Sequence, residues 1–198
     1  MTNSYEDEYR KEVGPVFDEL MGSLWHVTGN ETFDRILSTG EIHPEPPIAD
    51  KLRWATARGP DYYPYCRSLG GVSLFDFRDV DWDWMAERNQ LRHWLKFLSG
   101  RECWEAAIWL AIDIDQIEDG FISAGDVRQG WLSGNLHRRW MPGIEACHKG
   151  AIPIAACSMA LAVFSGDSTQ YKKYNLDAFD GAEFQRQLSE WKDYMERC

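Results

Sequence analysis

The sequence predicts a single α+β domain, a mixed central β-sheet with flanking helices, on three observations. Apolar runs of strand length recur at 24–28, 71–77 and 106–112. Around them stand amphipathic stretches whose apolar residues fall at helical spacing. With 198 residues the chain fits one domain and can bury a large core. The core is expected at 24–164, after an N-terminal helix in 1–22 and before a linker and C-terminal helix in 165–198.

Taken in order, residues 5–21 are charged, with Val13, Val16, Phe17 and Leu20 apolar, which suits an opening helix interrupted at Gly14-Pro15. Leu24-Trp25-His26-Val27-Thr28 reads as a strand. Alternation sends His26 and Thr28 to one face and Trp25 and Val27 to the other. Asn30 is the expected cap of a helix with an acidic first turn that stops at Gly40. Between 41 and 70 five prolines forbid long regular structure, while Tyr62, Tyr63 and Tyr65 cluster beside Arg53, Arg58 and Arg67. Such a segment inside a compact domain reads as a binding loop or lid.

Residues 71–77 read as the next strand, and 80–98 as a helix carrying Trp84, Leu91, Trp94, Leu95 and Leu98. The continuous apolar run 106–112 predicts a central strand, and 115–131 a turn-rich connection. His137-Arg138-Arg139-Trp140-Met141-Pro142 then leads into a strand bearing Glu145. Residues 151–164 are expected as a strand after Pro153, 165–175 as a linker, and 180–197 as a closing helix using Phe184, Leu188, Trp191 and Met195.

The net charge of −11 argues against general nucleic-acid affinity, which needs many cations on phosphates, and leaves only a local patch at His137-Arg138-Arg139. Five cysteines without a Cys-x-x-Cys pair read as reduced thiols of a cytoplasmic protein. Neither a secretory signal nor a membrane span is visible. No phosphate-cradling glycine loop or zinc spacing occurs, and scattered histidines make a metal site improbable. Asp113 and Asp115 end a strand at i,i+2, which is common turn chemistry.

Two segments carry the chemistry: the strand with His26 and Thr28, and Ile144-Glu145-Ala146-Cys147-His148, where one carboxylate interrupts an apolar run. A histidine-bearing strand, a helix ending at Gly40, an aromatic and arginine-bearing loop, the strand Gly71-Val72-Ser73-Leu74-Phe75 and a late glutamate follow one another. This order resembles the ADP-ribosyltransferase fold over 24–164. The resemblance implies NAD as cosubstrate and Glu145 as the catalytic carboxylate that binds a ribose hydroxyl. It implies that His26 and Thr28 hold the nucleotide and that Tyr62, Tyr63 or Tyr65 stacks on nicotinamide. A guanidinium clamps a diphosphate with two parallel hydrogen bonds, and Arg53, then Arg67, then Arg58 are the candidates. Ser73 is a minor polar candidate.

The activity so implied is transfer of ADP-ribose to an acceptor, or hydrolysis of the glycosidic bond, in a toxin or phage-conflict effector. Gly143 stands two before Glu145, where arginine-modifying members carry an acid or glutamine, so the acceptor is left open among protein, DNA, RNA and small molecules. An RNA 2'-phosphotransferase-like enzyme is an alternative that the net charge disfavours. A noncatalytic acidic binding or inhibitor protein with a vestigial cleft is the other. Bland readings also stand beside the chemical ones. His26 reads equally as a core histidine bonded to a carbonyl, whereas Glu145 is harder to dismiss, being costly to bury unless it faces a cleft or forms a structural bridge to Arg138 or Arg139. If the resemblance holds, His26 and Glu145 open into one cleft with at least one of the three tyrosines.

Overall fold

The computed structural model describes residues 4–50, 53, 55–56, 58–87, 94–98, 104–164 and 170–195. Its helices are α1 (Ser4–Val13), α2 (Pro15–Leu20), α3 (Asn30–Thr39), α4 (Tyr65–Ser68), α5 (Trp82–Glu87), α6 (Ala124–Leu132) and α7 (Gly181–Met195). The strands are β1 (Leu24–Gly29), β2 (Glu41–Ile42), β3 (Gly71–Asp76), β4 (Ala106–Ile112), β5 (Phe121–Ile122), β6 (Glu145–Lys149), β7 (Ile152–Pro153), β8 (Cys157–Phe164) and β9 (Tyr171–Asn175).

Seven strands form one sheet in the order β5-β6-β3-β1-β4-β8-β9, and β2 pairs with β7 beside it. Every pairing is antiparallel, so the expected mixed sheet is corrected to an antiparallel one. The run of β4 is continuously apolar because both of its faces are covered. Ala106, Ile108 and Leu110 pack in one core with Phe33 and Ile36 of α3 and Phe184 and Leu188 of α7. Ala107 and Trp109 pack in the other with Val13, Phe17 and Leu20 of the N-terminal helices and Met85 of α5. Antiparallel geometry alone does not expose a face; helices on both sides decide it.

The N-terminal break falls at Gly14, whose φ of 73° suits glycine, with Pro15 in the first turn of α2. Gly40 ends α3 in the left-handed conformation as expected. Asn30 is not the cap. It lies inside the helix after Gly29, and its side chain exchanges two 3.2 Å hydrogen bonds with Glu105.

Three other expectations are corrected. The long helix over 80–98 is α5 followed by a short 3₁₀ turn at Trp94–Phe97, with 88–93 outside the described residues. The connection 115–131 contains α6, capped by Ser123, whose hydroxyl accepts from the Asp126 N–H. The expected linker holds the edge strand β9, whose Lys172 and Lys173 are exposed while Tyr171 and Tyr174 pack against the two separate cores. Among the described residues no helix is long and apolar enough to cross a membrane.

A candidate active-site cleft at a parting of two strands

β1 pairs with β4 over its full length, from Leu24↔Ile112 to Gly29↔Ala107. With β3 it pairs only at Leu24↔Asp76 and Trp25↔Phe75. Beyond Trp25 the two strands part, and β3 continues in register with β6 from Phe75↔Glu145 to Gly71↔Lys149. The gap is a cleft of about 210 Å³, walled by His26, Val27 and Thr28 on one side and Gly71, Val72, Ser73 and Phe75 on the other.

His26 and Glu145 both line it. By register Glu145 shares a face with Phe75 and Trp25, while alternation puts His26 on the opposite face. Placement on opposite faces counts against the transferase resemblance, and only the parting of β1 and β3 lets one cavity reach both residues.

His26 Nδ1 lies 3.1 Å from the Ser73 carbonyl oxygen. Desolvation pushes its pKa down to about 4, against a smaller opposing pull from that hydrogen bond, so the ring is neutral near pH 7. A carbonyl can only accept, so Nδ1 carries the proton and Nε2 is left as an acceptor. The bland reading of a histidine bonded to a backbone carbonyl therefore holds together with the placement in the cleft. Thr28, 5% exposed, lines the same wall.

Glu145 is 2% exposed and forms no ion pair with a described residue, so the expected bridge to Arg138 or Arg139 is absent. Arg138 instead donates to the carbonyl of Pro60 at 3.2 Å. The Glu145 carboxylate accepts from Ser73 Oγ at 2.7 Å and from the Met141 N–H at 2.6 Å. Burial raises its pKa, and the bonds from Ser73, Met141 and Cys66 work in the opposite direction. Ser73 is thus placed as the residue that orients the carboxylate.

The Met141 N–H is delivered by a turn through Pro142 and Gly143, which also brings the Glu145 N–H to the Met141 carbonyl at 3.0 Å. Gly143 has φ of 80°, and a Cβ there would lie 3.1 Å from both Met85 Cγ and Trp84 Cζ3. An acidic side chain two before Glu145 would be both strained and crowded, which is the physical reason for the glycine.

Both preferred arginines line the cleft, yet both are already engaged. Arg67 forks onto Glu45 at 2.6 and 2.9 Å and reaches Asp50 at 3.0 Å, while Arg53 contacts Glu45 at 2.5 Å and the Pro44 carbonyl at 2.8 Å. Against desolvation, the bonds from Arg67 and Arg53 hold the Glu45 carboxyl below its ordinary value. Two cations and two carboxylates leave this wall without net charge. Arg58 is not in the cleft and sits over the ring of Tyr62.

None of the three tyrosines lines the cleft, which corrects the stacking expectation. Tyr63 lies under the Arg67 guanidinium, 3.8 Å away, and bonds Asp50 through its hydroxyl. Tyr65 is buried against α6, with its ring filling the space beside Gly130. Tyr62 is 41% exposed and faces a separate groove.

The aromatic walls are instead Phe75, Phe97 and Trp104, with His43 and Met141 also lining. Sequence reasoning missed Trp104, Phe97 and His43. Trp104 lies against Gly29, where a Cβ would meet the indole at 2.5 Å. The lone glycine after Thr28 was the available signal, since a glycine inside a strand often marks a close approach. Pro142-Gly143, a turn dipeptide, was the corresponding signal for the Met141 N–H.

Asp113 caps a 3₁₀ turn through the Asp115 N–H, as turn chemistry predicts, and no group of side chains among the described residues is placed to hold a metal. Cys66, Cys147 and Cys157 are buried free thiols. Burial, the neighbouring Cys147 and the charge of Glu145 push the Cys66 thiol well up, so it is inert as a nucleophile. No protein-family model, curated protein or solved structure matches the chain.

Proposed function

We propose that the protein is a NAD-consuming enzyme of the ADP-ribosyltransferase kind, which breaks the bond between nicotinamide and ribose and passes ADP-ribose to an acceptor or to water. One observation carries the reading: Glu145, a buried carboxylate without a cationic partner among the described residues, shares a cleft with His26. Burying such a group costs stability unless something positive arrives. Cleaving a glycosidic bond develops positive charge on the sugar. A carboxylate fixed in advance by Ser73 and the Met141 N–H stabilises that charge without reorganising.

His26 Nε2 and the Thr28 hydroxyl supply an acceptor and a donor for ribose hydroxyls, and Phe75, Phe97 and Trp104 supply an apolar wall for a flat ring. The cleft is smaller than the roughly 300–1,000 Å³ of ligand pockets, so it suits the nicotinamide ribose end of a dinucleotide. Arg53 and Arg67 would hold the diphosphate by exchanging Glu45, whose side chain is 51% exposed and able to swing out. The same ion pairs favour the rival reading, a noncatalytic binding protein, since they leave the wall neutral.

Titration with NAD separates the two. Binding at 100-fold excess over Kd stabilises by ~2.7 kcal/mol, which at ~2–4 °C per kcal/mol raises Tm by about 5–11 °C. Nicotinamide release is read by mass spectrometry. No shift at millimolar NAD and no nicotinamide would overturn the assignment.

A further inference from the structure

A second groove, about 730 Å³, lies beside the cleft and shares Met141 with it. In a chain of net charge −11 its described lining residues include Arg58, Lys96, Arg138 and Arg139, with His137, and no carboxylate among them. None of the four cations is ion-paired with a described residue, in contrast to the neutralised arginines of the cleft. The groove therefore concentrates unspent positive charge on an acidic protein.

Aromatic surfaces are interleaved with it. Tyr62 meets His137 edge-on at 6.0 Å, and Trp131 stacks on Trp140 at 5.0 Å. Arg58 lies over the Tyr62 ring at 5.7 Å. Cations along a backbone track with aromatic and guanidinium planes between them are what unpaired bases and phosphates require together. A free phosphate or an acidic peptide would use the charges and leave the rings idle.

We infer that this groove binds single-stranded nucleic acid, and that the strand is the acceptor for the cleft. The second part rests on the proposed NAD chemistry. It is argued from Met141, which lines both cavities and whose N–H holds Glu145. The net charge still excludes general affinity, so the prediction is of a short, local footprint.

The test is fluorescence anisotropy with labelled 12-nucleotide single-stranded DNA and RNA, a duplex of the same sequence, and heparin. Four phosphate contacts give a slope of log K against log salt of about −2.8, since single strands contribute roughly −0.7 per contact. Affinity then falls about 50-fold from 50 to 200 mM salt. The double variant Lys96→Ala/Arg139→Ala, at exposed positions, should cut the slope by about 1.4 and melt like the wild type. Tyr62→Ala should weaken single-strand binding by roughly 5- to 150-fold, the worth of one ~1–3 kcal/mol stack, without changing the slope.

Absence of binding at 50 mM salt, or equal binding of heparin and duplex, overturns the groove assignment. The DNA and RNA arms decide between the two strands. Oligonucleotide incubated with NAD should gain the mass of ADP-ribose. Nicotinamide release with an unmodified bound strand overturns the acceptor role alone, and strand binding with no NAD turnover overturns the enzyme reading and leaves the groove.

Discussion

Replacing Glu145 by glutamine should make the protein more stable and inactive at the same time. The amide has the size of the carboxylate. Its oxygen can accept from the Met141 N–H, and its NH₂ can donate to Ser73 Oγ, so both contacts survive. What disappears is a desolvated charge with no cation beside it among the described residues. Leaving such a buried group uncompensated costs about 1–3 kcal/mol, and ~2–4 °C per kcal/mol for a domain of this size puts the gain at roughly 2–12 °C at pH 8. The sign follows from linkage. The folded carboxyl has a raised pKa, so between its ordinary value of 4.5 and the raised one the folded state binds more protons than the unfolded. Wild-type stability therefore falls as pH rises through that window, and the advantage of the variant vanishes below pH 4.5. Nicotinamide release should drop about 10²- to 10³-fold through loss of the fixed charge. Melting curves at pH 8 and pH 4, with product mass spectrometry, read all three effects. A variant less stable than wild type at pH 8, or one that turns over at the wild-type rate, would refute the reasoning.

His26 gives the opposite pH signature. Its pKa falls from 6.5 to about 4 on folding, so stability is complete above pH 6.5 and is lost as pH falls toward 4. The difference amounts to about 3–4 kcal/mol at ~1.4 kcal/mol per pH unit, an upper bound because the ring keeps some solvent contact, and His26→Gln melts across pH 4–7 should lack this loss. Gly143→Glu should lower Tm by roughly 2–8 °C from left-handed backbone strain of ~1–2 kcal/mol alone, and nicotinamide release should fall with the turn that holds Glu145. Gly71→Ala would drive a Cβ into Cys147 Sγ and to 2.8 Å from the His148 carbonyl, costing about 1–3 kcal/mol in urea unfolding with unchanged slope. Arg67→Ala, by removing the fork onto Glu45 and leaving that carboxylate paired with Arg53, should abolish the NAD thermal shift while moving Tm little, since the carboxylate partners of Arg67 are about half exposed.

The sequence by itself determined the elements whose causes are local. β1, β3, β4, α3 and α7 stand where alternation, continuous apolar runs and helical spacing put them, because side-chain periodicity is a property of the chain. It also singled out His26 and Glu145, since a polar group in an apolar strand must be satisfied somewhere. Tertiary structure decided how those residues meet. β1 and β6 are not neighbours; β3 lies between them, and the two side chains reach one cavity only because β1 parts from β3 after Trp25. No periodicity encodes where a ladder ends. The tyrosines were misplaced for a related reason: Tyr63 is held by Asp50 and Arg67, and Tyr65 by packing on α6, contacts that arise across the fold. The charge of the loop arginines was likewise cancelled by Asp50 and by Glu45, a partner 8 and 22 residues away whose carboxylate meets both only once the proline-rich segment has folded back. Composition counts charges, but only three-dimensional proximity decides which remain unpaired.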